Sequence, residues 1–189
     1  MSDIGDAIQE SITQSPEGRI NSRVAVLVAL AATFMAICNI KDGNIVQAMS
    51  QAQAHAIDAW SYFQAKSTKE TIAENSLELL KVKNNAGSEG LIKKYEDKIA
   101  VYEKEKKEIK TQAETFAKEY EDINVFDDQF DMTEAFLSIS IALFGITALT
   151  QKKWLLYFAS LVSLAGFISG VAAFLRINIH ADFISKILG

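Results

Sequence analysis

Three long apolar blocks, at residues 24–40, 132–150 and 154–175, constrain this chain more than any other feature. The first, VAVLVALAATFMAICNI, contains no charge; Arg19 and Arg23 precede it, and Lys41 and Asp42 follow. At ~1.5 Å of helical rise per residue, its roughly 17 residues lie near the lower limit for crossing a hydrocarbon core. The second block carries one charge, Glu134, in its first turn, and the third is apolar until Arg176. Only Gln151, Lys152 and Lys153 separate these two, so they must form a tight antiparallel hairpin. Charges confined to the block ends predict three membrane spans rather than three helices buried in a soluble core.

A cleaved signal peptide is the rival reading of the first block. Asp3, Asp6, Glu10 and Glu17 occupy the region that should be basic, and Ile37 stands before Cys38 where lipoprotein cleavage wants a small residue. A retained span is therefore expected. Cys38 is the only cysteine, which excludes an intrachain disulfide.

Between the first two blocks, the polar stretch 42–131 has a regular seam. In its second half Ile92, Tyr95, Ile99, Tyr102, Lys106, Ile109, Ala113, Phe116, Tyr120 and Ile123 follow at alternating steps of three and four. Lys106 alone breaks the apolar rule, and its aliphatic stem can lie along the seam. Such a pattern, flanked by Glu and Lys, predicts a coiled coil. The first half repeats it more weakly through Ile45, Met49, Ala52, Ala56, Ala59, Phe63, Lys66, Glu70, Ala73, Leu77 and Leu80. The halves meet at NNAGSEG, residues 84–90, and their arms are of equal length, which returns the chain to the face it left. Folded back, small residues of one arm oppose large ones of the other.

The first half also holds Trp60, Tyr62 and Gln64, which fall on the flanks of the seam. Three readings are open for them: a broad hairpin core, a self-association surface, or a ligand site. Exposed Trp and Tyr on a helical stalk point toward a second protein surface.

The stretch DAWSYFQAKSTKE, followed by KYEDKIAVYEKEKKEIKTQAE and a closing pair of spans, resembles an uncharacterised bacterial membrane family classed as a domain of unknown function. That family's pattern is a span, a Q-W-x-Y-Y-Q-A-K-S-like segment, a charged coil and a two-span hairpin, and the resemblance covers roughly residues 20–175. Gln64, Ala65, Lys66 and Ser67 match, whereas Phe63 replaces the second Tyr and Ala59 and Ser61 depart from the pattern beside Trp60. The resemblance implies the membrane architecture and no established activity.

Groups for catalysis are not brought together by the sequence. His55 and His180 are far apart and have no Cys or His at ligand spacing, so neither predicts zinc, and His55 reads as a solvated or packing residue. There is no phosphate-binding glycine loop. Nucleic acid is disfavoured because the polar stretch is acidic overall and its lysines alternate with glutamates. The expectation is a protein that is not an enzyme and has no cofactor or metal site.

One acidic run stands out before the second span: Glu121, Asp122, Asp127, Asp128, Asp131 and Glu134. In a monomer it reads as a solvated collar; repeated around an axis it would concentrate cations at a pore mouth. Its spacing does not fit a calcium loop. Within the third block, Gly166 and Gly170, with Ser163 and Ser169 nearby, form a small-residue pattern that lets helices approach closely, either within the chain or between subunits.

Both ends are amphipathic. Ile4, Ile8 and Ile12 share a helical face that Pro16 and Gly18 separate from the first span, and the tail presents Ile179, Phe183, Ile184, Ile187 and Leu188. Arg19, Arg23, Lys152 and Lys153 would share one membrane side, which the positive-inside rule makes cytoplasmic, with the stalk on the periplasmic side of an inner membrane.

These readings predict an all-α membrane protein with three transmembrane helices and a long antiparallel coiled-coil hairpin between the first and second. Its parts are an N-terminal segment (1–18), a first span (19–41), the hairpin (42–131, tip 84–90), a two-span hairpin (132–175) and a tail (176–189). The expected role is a membrane scaffold, partnered by the lipid bilayer, by further copies of itself through Trp60, Tyr62, Gln64, Gly166 and Gly170, and by an unidentified protein. The alternative is an oligomeric channel with the acidic collar as entrance and Ser138, Ser140 and Thr147 turned toward the pore.

Overall fold

The structure, a computed structural model, describes residues 16–83 and 87–177. The expected N-terminal amphipathic face, the tail with His180, and part of the tip at 84–86 lie outside the described residues. The described residues form three helices: α1 (Pro16–Lys83), α2 (Glu89–Thr150) and α3 (Lys153–Phe174). Each contains a stretch long and apolar enough to cross a membrane. Helix α1 begins at Pro16 and runs through Gly18, and the segment that these residues were expected to separate from the first span lies outside the described residues. Proline suits a first helical turn, where its missing N–H would have had no partner.

Helix ends follow local chemistry. Lys81 and Lys83 lie in the last turn of α1 and Glu89 in the first turn of α2, each favourable to the helix dipole. Gly87, between them, adopts φ 111°, a conformation that side chains resist. The α3 terminus is a Schellman motif: Arg176 N–H donates to Ala173 C=O (3.1 Å) and Ile177 N–H to Ala172 C=O (2.9 Å), with Arg176 in the left-handed region at φ 55°.

The described residues divide into two compact units, one within Met1–Val46 and Asn124–Gly189, the other Gln47–Ile123. In the first, α2 supplies the centre. Phe130, Thr133, Leu137, Ser140, Phe144 and Thr147 recur at steps of three and four and are all essentially inaccessible to solvent. The hydroxyls on this face are satisfied by their own helix: Thr133 donates to Gln129 C=O (2.9 Å), Ser140 to Leu137 C=O (2.8 Å) and Thr147 to Leu143 C=O (2.8 Å). Two clusters fix the neighbours. Ile20 and Val24 of α1 pack with Phe144, Leu156 and Ala159; farther along, Cys38 packs with Phe130 and Ala173.

The closest approach occurs at the glycines of α3. A Cβ on Gly166 would lie 3.0 Å from the Leu137 side chain, and one on Gly170 would lie 2.7 Å from the Phe34 ring and 2.9 Å from Thr133. Phe34 has little room to withdraw, since it stacks on Phe167 at 4.5 Å. The two-residue α2–α3 connector is held by Gln151, whose backbone takes φ 56° while its Nε2 donates to Asn21 Oδ1 (2.8 Å) and to Ala148 C=O (2.5 Å).

In the second unit, every seam residue from Met49 to Leu80 and from Ile92 to Ile123 is buried or half-buried. Contacts between the helices run in opposite directions along them: Lys81 with Glu96 (3.0 Å), Glu70 with Lys106, Lys66 with Glu105 (2.5 Å), and His55 stacked on Phe116 at 5.1 Å. Lys106 therefore does more than lay its stem along the seam. With Lys66, Glu70 and Glu105 it forms a polar layer, in which Lys66 also faces the Tyr62 and Tyr102 rings and Lys106 the Phe63 ring.

The glycine contacts yield a paired prediction. Gly170→Ala forces Phe34 or Thr133 to move and should destabilise the fold by about 1–3 kcal/mol. Gly145→Ala, where an added Cβ meets nothing within 4 Å, should be neutral or slightly stabilising because alanine is the better helix former. Unfolding of both variants in detergent checks the difference.

Candidate functional site

Two groupings of side chains could act on something outside the chain, one in each compact unit. In the unit containing the apolar stretches, the loss of hydrophobic character after Ile40 on α1 and before Met132 on α2 brings Asp42 close to Asp127, with Asp131 and Glu134 contributing their charge. Asp42 was visible in the sequence only as the residue flanking the first block. The missed signal was positional: the first apolar block ends and the second begins at this level, so flanking acids on the two helices meet.

Burial, and then the Asp127 and Asp131 carboxylates, push the Asp42 carboxyl up to about 6. Burial likewise raises Asp127, with Asp131 and Asp128 adding to it, while a hydrogen bond from Asp42 opposes the rise. When Asp42 is protonated, its O–H can donate to the Asp127 carboxylate, which favours the protonated form of the pair. Asp128, Asp131 and Glu134 remain exposed. Glu121 and Asp122, the other expected members of the collar, are exposed residues of the second unit. No group of His, Cys, Asp and Glu that could hold a metal ion occurs among the described residues.

Two residues after Asp127, Gln129 is a buried polar residue absent from the sequence reading. Its Nε2 donates to the carbonyls of Ser169 and Ile177, both at 3.2 Å, and Ser169 Oγ donates back to Gln129 C=O (3.3 Å). This side chain closes the C-terminal end of α3. Ser140 and Thr147, candidates for a pore lining, are fully buried against neighbouring helices, whereas Ser138 is exposed with Oγ 3.5 Å from Met35 Sδ. Gly166 and Gly170 are used inside the chain, against α2 and α1.

The second grouping is aromatic. Trp60, Tyr62 and Gln64 are exposed on α1, outside the seam. Trp60 meets the half-buried Phe63 edge to face at 5.6 Å, so the indole lies along the helix with much of its surface still open. Tyr62 receives the Lys66 ammonium over its ring. Such a surface can bind apolar and planar groups; it holds no nucleophile with a base beside it.

The acid pair gives a pH dependence with a definite sign. Because the folded carboxyl titrates above its ordinary value, the folded state holds a proton that the unfolded chain releases between about pH 4 and 6, and stability falls as pH rises through that window. Asp42→Asn should flatten this slope and raise stability at pH 7.5 by on the order of 1 kcal/mol after discounting for solvent screening. Denaturation midpoints from pH 4 to 8 measure it.

Comparison with known proteins supplies a family. No curated protein and no solved structure matches the chain. A family described as a domain of unknown function, DUF4337, matches residues 20–176, which takes in all of α2 and α3 and nearly all of α1, and the chain therefore belongs to that family.

Proposed function

We propose that this chain is a multi-pass protein of a bacterial inner membrane that acts as a structural scaffold, with three spans and an antiparallel coiled-coil stalk through which it self-associates. The observation that carries the reading is where apolar side chains are left uncovered. In the first unit Val26, Leu30 and Ile37 on α1, Ile139 and Ile146 on α2, and Tyr157, Leu161, Leu164 and Ile168 on α3 are exposed. Apolar surface on all three helices is stable in hydrocarbon and a liability in water. The seam pairs of the second unit, numbered in opposite directions and broken by one polar layer, support a stalk whose register is fixed by Lys66, Glu70, Glu105 and Lys106.

Arg19, Arg23, Lys152 and Lys153 support an orientation with those residues on the cytoplasmic side and the stalk on the periplasmic side. Trp60 and Tyr62 are the exposed aromatic groups of the stalk on which a partner would settle, most simply another copy. A channel would draw on the same acidic residues, now including Asp42. Ser140 and Thr147 weigh against it, because their hydroxyls bond to their own helix and face neighbours within the chain.

Mass measurement of the full-length protein in lipid nanodiscs tests the proposal. The expected result is a defined oligomer whose population falls when Trp60→Ala and Tyr62→Ala are combined. A monomer at all accessible concentrations would contradict it.

A further inference from the structure

Helix α1 has two differently built faces within the second unit. One is the seam, where Ala56, Ala59, Phe63, Lys66, Glu70, Ala73, Leu77 and Leu80 meet α2. The other is a ridge through Ile57, Trp60, Gln64, Thr68, Ile72, Asn75, Leu79 and Val82, at steps of three or four that average close to the helical 3.6 and so stay on one side of the helix. All eight are exposed and none carries a charge. Its large apolar members are open to solvent by 57% (Ile57), 38% (Trp60), 59% (Ile72), 63% (Leu79) and 82% (Val82). Thr68 adds to this character, since its hydroxyl donates to Gln64 C=O (3.0 Å) and is thereby satisfied within the helix. The facing helix is different: between residues 93 and 114 of α2 the exposed positions are mainly Lys and Glu, with Val101 the exposed large hydrophobic residue.

We propose that this ridge is the contact at which two copies of the chain pair, α1 against α1, parallel and in register, about a two-fold axis. The inference rests on the self-association reading and names its surface. Two observations select a second copy as the occupant. Copies inserted the same way in one bilayer carry their α1 helices in the same direction, so like ridges meet as a parallel pair. The charges beside the ridge fit that arrangement. With Ile72 and Leu79 as first core positions and Asn75 and Val82 as second, Glu78 stands just before a core position and Lys83 just after one. In a parallel two-stranded seam these flanking positions face each other across the interface, so Glu78 of each copy meets Lys83 of the other. Both residues are exposed. Asn75 and Gln64, uncharged polar groups within the ridge, would meet their own counterparts and set the register, as single polar core residues do in parallel dimers. Trp60 then supplies the largest apolar group on the ridge, and Tyr62 lies on another part of the helix surface.

The test uses the full-length chain in membranes. In a Cys38→Ala background, Gln64→Cys and Asn75→Cys should each form a disulfide-linked dimer under mild oxidation, in several-fold higher yield than the exposed α2 control Lys107→Cys. Independently, and with Cys38 intact, Glu78→Lys should lower the dimer population several-fold in nanodiscs, and Glu78→Lys combined with Lys83→Glu should restore it. Cross-linking at a single ridge position, as an antiparallel pair would give, or equal yields at Lys107→Cys, would overturn the proposal. So would failure of the double charge exchange to restore pairing. A defined oligomer by mass with those cross-linking results would leave self-association standing and remove this interface; a monomer by mass would remove both.

Discussion

The close approach of α3 to its two neighbours at Gly170 is the constraint on which the packing of the first unit depends. With no Cβ there, the Phe34 ring and the Thr133 methyl can occupy the space against the α3 backbone, and Phe34 is left free to stack on Phe167. In water, burial of large side chains would supply most of the stabilisation. Between apolar helices in lipid that driving force is absent, and contact quality takes its place. The alternation of large and small residues on the buried α2 face suits close helix contact: Phe130, Leu137 and Phe144 fill space, while Thr133, Ser140 and Thr147 let neighbouring helices come close without leaving an unsatisfied hydroxyl.

The second unit solves a different problem. A two-helix pair has little interior, and a uniform apolar seam between two helices would tolerate sliding by a heptad. Small residues at Ala52, Ala56, Ala73 and Ala113 bring the helices together, and the ion pairs Lys66–Glu105 and Lys106–Glu70 form only in one register. Partly buried charges of this kind add little net stability, but removing one partner leaves the other exposed to a large desolvation cost. Slippage is therefore penalised more than the correct alignment is rewarded.

Much of this was legible in the sequence because it depends on period and charge. Apolar blocks with charges confined to their ends gave the three long apolar stretches, and the alternating three-and-four spacing identified the residues that the structure buries along both arms. What escaped was contact between residues distant in sequence. The ion partner of Lys106 is Glu70, and no periodic pattern joins them. Asp42 gains its proton affinity from burial and then from Asp127 and Asp131 on another helix, and Gln129 finds its partners on α3 and just past its end, at positions 40 and 48 residues away. The small-residue pattern at Gly166 and Gly170 was readable, but whether it served the chain or a second copy was not; the structure uses it within the chain.

The central claim, that the exposed apolar surface of the first unit lies in lipid while the second unit lies in water, is tested most directly by the two tryptophans. Trp154 stands at the start of α3 and Trp60 within the second unit, and both are exposed. In single-tryptophan variants reconstituted with lipids brominated along their acyl chains, the account predicts strong quenching of Trp154 fluorescence and almost none of Trp60. Equal quenching of the two, or quenching of Trp60 alone, would contradict it.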